Sequence, residues 1–224
     1  MAVTIQIRLN EKLYLRDPQD TKLGRKIIQH SIWLIDEIGF EDFTFKKLAD
    51  RIGSTEASIY RYFENKHRLI LYLLSWYWEW VKFQIEFHTA NIPDPEQKLE
   101  IAIDTMLDSA RPNPSIDFVD EATLHRIVIA EATKSYRTKM VDAENKQGFF
   151  LTYKALCRTL ADILSEINPN YPYPRALAST LLEMSNDQVY FAEHLPSLTE
   201  ISITDADLSP VKQLLKDFAL NLLR

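Results

Sequence analysis

Apolar and polar positions alternate at the start of the chain: Val3, Ile5, Ile7 and Leu9, then Leu13 and Leu15 beyond the polar break Asn10-Glu11-Lys12. A period of two sends alternate side chains to opposite faces, so 3–15 reads as a small β-hairpin or an extended arm. A lone hairpin is marginal in water and needs something to pack on. From Thr21 the period becomes helical. Ile27, Ser31, Leu34, Ile35 and Ile38 form one small and apolar face, and Gly39 is the residue type favoured just past a helix end. Thr44 is a good N-cap for a short helix that turns Leu48, Ala49 and Ile52 inward and stops at Gly53. Thr55 can cap the next helix, whose inward side is Ile59 and Phe63, with Glu56 well placed against the helix dipole. Three short helices, the last two joined by a glycine-containing turn, make a helix-turn-helix arrangement.

The remainder reads as longer helices over about 65–89, 95–109, 118–136, 145–167, 174–194 and 208–223. Prolines mark the breaks: Pro93, Pro95, Pro112, Pro114, Pro169, Pro172, Pro174, Pro196 and Pro210. There is no repeat, no low-complexity tract and no flexible linker. The expected fold is therefore all-α, with an arm over 1–20, a three-helix head over 21–68 and a larger helical body over 69–224. The helix opening at Lys66 runs from head into body without a break.

Composition supports this reading. A hydrophobic share of 46% and a charged share of 26% are those of a soluble globular protein, and 4 glycines with 10 prolines favour helices over turn-rich sheets. Cys157 is the single cysteine, which excludes an internal disulfide; its setting, ALCRTLADIL, reads as a buried structural thiol. The first residues alternate and do not form the apolar block of a leader. The longest apolar stretch, LILYLLSWYWEWVKFQIEF, is interrupted by Glu79, Lys82, Gln84 and Glu86, a poor membrane span. A cytoplasmic protein is expected.

The formal net charge of −6 by itself argues against a nucleic-acid partner, but its distribution matters more. Residues 1–68 hold 12 Lys and Arg against 10 Asp and Glu, leaving 14 against 22 in the rest. A mildly basic head on an acidic body has the sign that DNA binding needs. Arg8, Lys12 and Arg16 leave the arm two roles, a clasp on the body or a basic arm toward DNA. Enzymatic motifs are missing. His30, His67, His88, His125 and His194 have no HExxH spacing and no cysteine at zinc-ligand distance, and there is neither a glycine-rich phosphate loop nor a nucleophile elbow. No catalytic residue, metal or cofactor is expected.

A helix that reads DNA must present small or polar side chains at its N-terminal end so that the backbone can approach base edges. Thr55, Glu56, Ala57 and Ser58 answer that need. Around such a nose, donors must meet phosphates. Thr44 offers a hydroxyl at a helix start, Tyr60 and Tyr62 offer phenols, and Lys66 a cation. Tyr62 has a second reading, a packed aromatic at the domain junction. Glu56 has two as well, a cap of the helix or an acceptor for a cytosine amino group.

Residues 39–66, GFEDFTFKKLADRIGSTEASIYRYFENK, closely resemble the DNA-binding signature of TetR-family transcriptional repressors. The shared features are Gly-aromatic after helix one, Thr opening helix two, an apolar-Ala pair with a Gly turn, Tyr-x-Tyr-Phe, and a Lys opening helix four. The likeness covers roughly 21–70. It implies that Thr44, Tyr60 and Lys66 grip the DNA backbone, while Lys46, Glu56, Ala57, Ser58 and Arg61 reach bases or nearby phosphates. Glu56 departs from the neutral or basic residue that many relatives carry. The resemblance further implies a pseudo-palindromic operator bound by a homodimer and released by a small-molecule inducer. The aromatic-rich helix and its neighbours would line the inducer pocket, with Trp76, Trp80, Phe83, Phe87, Glu131 and Met184 as candidates. The last two long helices would pair with their mates through Leu181, Leu182, Val189, Leu214, Phe218 and Leu222. The rival is a helical small-molecule- or partner-binding protein whose head does not read DNA.

Overall fold

The structure, a computed structural model, describes residues 6–108 and 116–224. Every regular element among them is a helix. Ten α-helices run in the order α1 Lys22–Asp42, α2 Phe45–Ile52, α3 Glu56–Tyr60, α4 Lys66–Thr89, α5 Pro95–Asp108, α6 Glu121–Tyr136, α7 Val141–Lys146, α8 Leu151–Ile167, α9 Pro174–His194 and α10 Ser209–Leu223. Short 3-10 turns occupy Glu11–Leu13, Pro18–Asp20 and Pro196–Leu198. No described helix is long and apolar enough to cross a membrane.

The described residues fall into two compact units, one formed by 6–78 and 116–152, the other by 79–108 and 153–224. In the first, α1 is the central element and touches α2, α6 and the turn at Pro18–Asp20. The Thr21 hydroxyl starts it by accepting from the Gly24 amide at 2.9 Å, and Ile27, Ile28, Ile32 and Ile35 are buried along it. Gly39 breaks the helix with φ 77° and ψ 158°, leaving one further turn before Phe43. α6 is held on α1 by a bidentate pair, Arg126 Nε and Nη2 donating to the two Asp36 oxygens at 2.9 and 2.8 Å. Trp33 Nε1 adds a bond to Asp120 at 3.2 Å, and Asp120 also caps α6. In the second unit, α10 packs on α9 and α5.

Two expectations change. The arm forms no strand within its described residues; Val3 and Ile5 lie outside them. A buried Gln19 takes the place of a partner strand, its amide donating to the Ile7 carbonyl at 2.7 Å and its oxygen accepting from the Ile7 amide at 3.3 Å. With Leu13 buried and the Leu15 amide donating to the Tyr62 carbonyl at 2.8 Å, the arm clasps the head. Its cations Arg8, Lys12 and Arg16 stay exposed. The helix expected over 145–167 is two helices, because Gly148 takes φ 82° and reverses the chain between α7 and α8. The Pro112–Pro114 break lies outside the described residues.

Gly24 makes the contact between arm and α1 possible. A β-carbon there would sit 2.2 Å from the Pro18 carbonyl oxygen and 2.5 Å from the Pro18 Cα, both rigid backbone atoms. Gly24→Ala is therefore expected to destabilise the protein by about 1–3 kcal/mol through overpacking. A thermal melt followed by circular dichroism should show a midpoint lower by several degrees; an unchanged melt would mean that the turn and α1 part freely.

Candidate nucleic-acid interface

The head assembles its outer face from helix ends. Thr44 is the N-cap of α2, its hydroxyl accepting from the Lys47 amide at 3.2 Å. Leu48, Ala49 and Ile52 turn inward and are buried, and Gly53 closes the helix in the left-handed region at φ 64°. The C-terminal carbonyl of Ile52 is met by the Lys26 ammonium at 2.7 Å. Thr55 then caps α3, accepting from the Ser58 amide at 3.3 Å and pairing with the Ser58 hydroxyl at 2.8 Å. Ile59 and Phe63 are fully buried and hold α3 on the head. A helix of five residues could not persist alone; its caps and these two side chains sustain it.

The arrangement leaves Thr44, Lys46, Thr55, Glu56, Ala57, Tyr60 and Arg61 exposed, with Ser58 half-buried between them. The Tyr60 ring rests edge-on against Phe45 at 5.0 Å and is 47% exposed, a phenol supported from below. Since Thr55 supplies the cap, Glu56 is free of that task; it stands exposed in the first turn, where its charge suits the helix dipole. Two of the expected contact residues are occupied internally. Tyr62 is 3% exposed, its hydroxyl paired with Thr21 Oγ1 at 2.8 Å and its ring beneath the Arg16 guanidinium at 5.7 Å. The packed-aromatic reading describes it. Lys66 donates to the carbonyls of Phe40, Glu41 and Phe43 at 3.1, 2.9 and 3.2 Å, and its ammonium lies 4.9 Å from the centre of the Phe40 ring.

The next two residues of α4 are tied as well, and sequence reasoning overlooked them. His67 Nε2 meets Oε1 of the buried Glu144 at 2.7 Å. Arg68 lies 4.0 Å over the Phe149 ring and donates to Gln147 at 3.5 Å. Their partners are 77 to 81 positions away along the chain, so no local pattern announces them.

The six residues expected to line an inducer pocket divide between the units. Trp76 and Glu131 belong to the first, and Trp80, Phe83, Phe87 and Met184 to the second. Trp76 and Trp80 are buried; Phe83 and Phe87 are 41% and 68% exposed and continue a stack from Trp80 at ring distances of 5.6 and 6.1 Å. Glu131 accepts from Lys134 at 3.0 Å. A cavity of about 180 Å³ in the second unit is lined instead by α5 and α10, through Glu100, Ile103, Asp104, Ser209, Lys212, Gln213 and Lys216. That is smaller than the roughly 300 Å³ at which small-molecule sites begin. The residues expected at a dimer contact also divide. Leu181, Leu182 and Val189 are buried in the second unit's own core, while Leu214 is half-buried and Phe218 and Leu222 are 48% and 51% exposed, one α10 turn apart. Burial pushes the Cys157 thiol up to about 11, so it stays protonated and unreactive at neutral pH.

Residues 27–73 match the model of the tetR family of bacterial regulatory proteins. The chain is 30% identical over 99 residues to the nucleoid occlusion factor SlmA of Haemophilus influenzae, a match that spans 44% of each, less than half the length of that relative. Among solved structures, the fatty acid degradation regulator FadR from Bacillus halodurans aligns over 89% of this chain and 98% of its own, with a TM-score of 0.63 at 18% identity. AibR in complex with isovaleryl coenzyme A and operator DNA aligns over 89% of this chain and 97% of its own, with a TM-score of 0.56 at 14% identity. The signature on the head falls on the helices that form it: residues 27–73 carry the tetR-family match, and the fold of these solved regulators continues along nine-tenths of the chain.

Proposed function

We propose that the protein is a ligand-responsive transcriptional regulator that binds a pseudo-palindromic DNA operator as a dimer and represses until a small molecule binds its helical body. The observation that carries this reading is the exposed row Thr44, Lys46, Thr55, Glu56, Ala57, Tyr60 and Arg61, set on a buried and fully capped helix-turn-helix. Small side chains at the start of α3 let the backbone approach base edges, and Thr44, Lys46, Tyr60 and Arg61 surround them with phosphate donors. Dimerisation follows from the need to read two half-sites with one head each, spaced by one helical turn of DNA or about 34–36 Å. The exposed pair Phe218 and Leu222 on α10 supplies apolar surface for it, and Leu214 extends the stripe by another turn.

Ligand response needs an element that belongs to both units. α4 is that element, opening at Lys66 in the first and ending at Thr89 in the second. A ligand that prefers one placement of α4 changes the operator affinity by its differential affinity for the two placements, and by no more. AibR, with both isovaleryl coenzyme A and operator DNA in one complex, shows that a protein of this fold can hold both kinds of partner. Random-site selection with the purified protein, followed by gel shift, is the deciding experiment. Saturable retention of a two-fold sequence is expected; retention of no sequence even at low salt would favour a helical binding protein whose head does not read DNA.

Lys46 is exposed at the second position of α2. Lys46→Ala should weaken binding to all DNA alike and lower the slope of log K against log [salt] by about one; an unchanged slope removes it from the phosphate contacts. Ala57→Arg fills the space in which α3 must approach the groove. It should abolish selection of the operator over random DNA while the melt stays within about one or two degrees, as for other exposed positions. Replacing both Phe218 and Leu222 by Glu should give a folded monomer by sedimentation equilibrium. A dimer persisting in that double variant would move the interface off α10.

A further inference from the structure

We infer that Lys66 is a positioning residue, a strap that fixes the α2–α3 reading unit relative to α4, and not a phosphate ligand; the inference rests on the DNA-reading function proposed above. An ammonium has three N–H donors and no more. In Lys66 all three are engaged, by the carbonyls of Phe40, Glu41 and Phe43. Phe40 and Glu41 lie in the last turn of α1, beyond the Gly39 break, and Phe43 is its C-cap; these are helix-end carbonyls short of intrahelical partners, Phe40 alone also accepting from the Phe43 amide at 3.3 Å. They also lie at the negative end of a helix, where a cation is favoured. The Phe40 ring covers the ammonium from another side at 4.9 Å. To reach a phosphate, Lys66 would have to give up its bonds to three backbone carbonyls, of which only Phe40 keeps the Phe43 amide at 3.3 Å, and abandon that ring.

The far end of the strap explains what it does. Phe43, its last acceptor, precedes Thr44, the N-cap of α2 and an expected phosphate contact. α2 in turn carries α3 through their shared contacts and the Gly53 turn. The near end is fixed too, because His67 and Arg68, the next residues of α4, are held by Glu144, Gln147 and Phe149. The first turn of α4 is thus clamped between the α1–α2 connection on one side and the turn after α7 on the other. A displacement of α4 reaches the reading unit through the Lys66 side chain.

Lys66→Met keeps the length of the side chain and removes charge and donors together. Its operator and random-DNA affinities should be measured over a salt series beside those of the wild type, with the folded fraction fixed by circular dichroism. The strap predicts that operator affinity falls at least tenfold, while random-DNA affinity and the salt slope stay near wild type, so the specificity ratio drops. A slope lower by about one, with both affinities reduced together, would make Lys66 a phosphate ligand and overturn the inference. Equal loss on both DNAs at constant slope would reduce it to a residue of fold stability alone, and an unchanged ratio and slope would remove any role. If Lys66→Met does not fold, Lys66→Gln, neutral but with two N–H donors, gives the same test, since only a phosphate ligand would lower its slope. A wild type that selects no site in the same series overturns the reading of the head and the strap with it.

Discussion

Helix ends are the constraint on which this head depends. Each end leaves backbone donors or acceptors without an intrahelical partner, and short helices have many ends for few residues. α2 has eight residues and α3 has five, so at least half of their backbone groups are end groups. Several polar side chains of the head answer this need. Thr21, Thr44 and Thr55 meet the amides, and Gly53 turns the chain back so that its amide can reach the carbonyls of Ala49 and Asp50. Lys26 and Lys66, from two long helices, bring cations to the carbonyls that remain. The side chains of Lys46, Tyr60 and Arg61 stay exposed beside these capped helix ends, and so does Thr44, itself the cap of α2.

What was legible in the sequence follows from how local each feature is. Caps, glycine stops and apolar periodicity act within four or five residues, so the boundaries of α2 and α3 and the roles of Thr44, Gly53 and Thr55 could be read directly. The split of α7 from α8 hinges on one glycine in an otherwise helical stretch, and its positive φ is set by a local reversal that periodicity does not encode. The arm misled in a different way: its alternation is real, yet a buried glutamine side chain supplies the hydrogen bonds that a second strand would have given. Tyr62 and Lys66 illustrate the limit most clearly. Their spacing marks a DNA-binding signature, but whether a polar atom faces solvent or a neighbouring backbone depends on residues 23 to 41 positions away.

The body shows the same division. Aromatic density along α4 announced burial, and Trp76 and Trp80 are buried, but nothing in the order of residues separates them from the exposed Phe83 and Phe87. On α9 and α10 the apolar positions looked equivalent. Packing makes Leu181, Leu182 and Val189 core and leaves Phe218 and Leu222 outside, since α10 lies on α9 and α5 and can bury only one of its stripes. Ion pairs such as Lys212 with Asp104 at 3.1 Å then edge the buried side of α10, which leaves the uncharged pair as its apolar outer surface.

Electrostatics bears on how such a head could discriminate. With 12 cations against 10 anions up to residue 68, and Glu56 at the nose of α3, general attraction to DNA is small. A strongly basic head would hold any duplex through counterion release and would lose little if its reading helix were tilted. A nearly neutral one must obtain most of its affinity from close fit, which is sensitive to angle. On the proposed reading that sensitivity serves regulation, because a small displacement of α4 changes fit without having to overcome a large, orientation-independent attraction. It also gives the Lys66 charge more effect inside the protein than at its surface: one more phosphate contact would add to binding of every sequence, whereas a fixed α1–α2 connection adds only to binding of the right one.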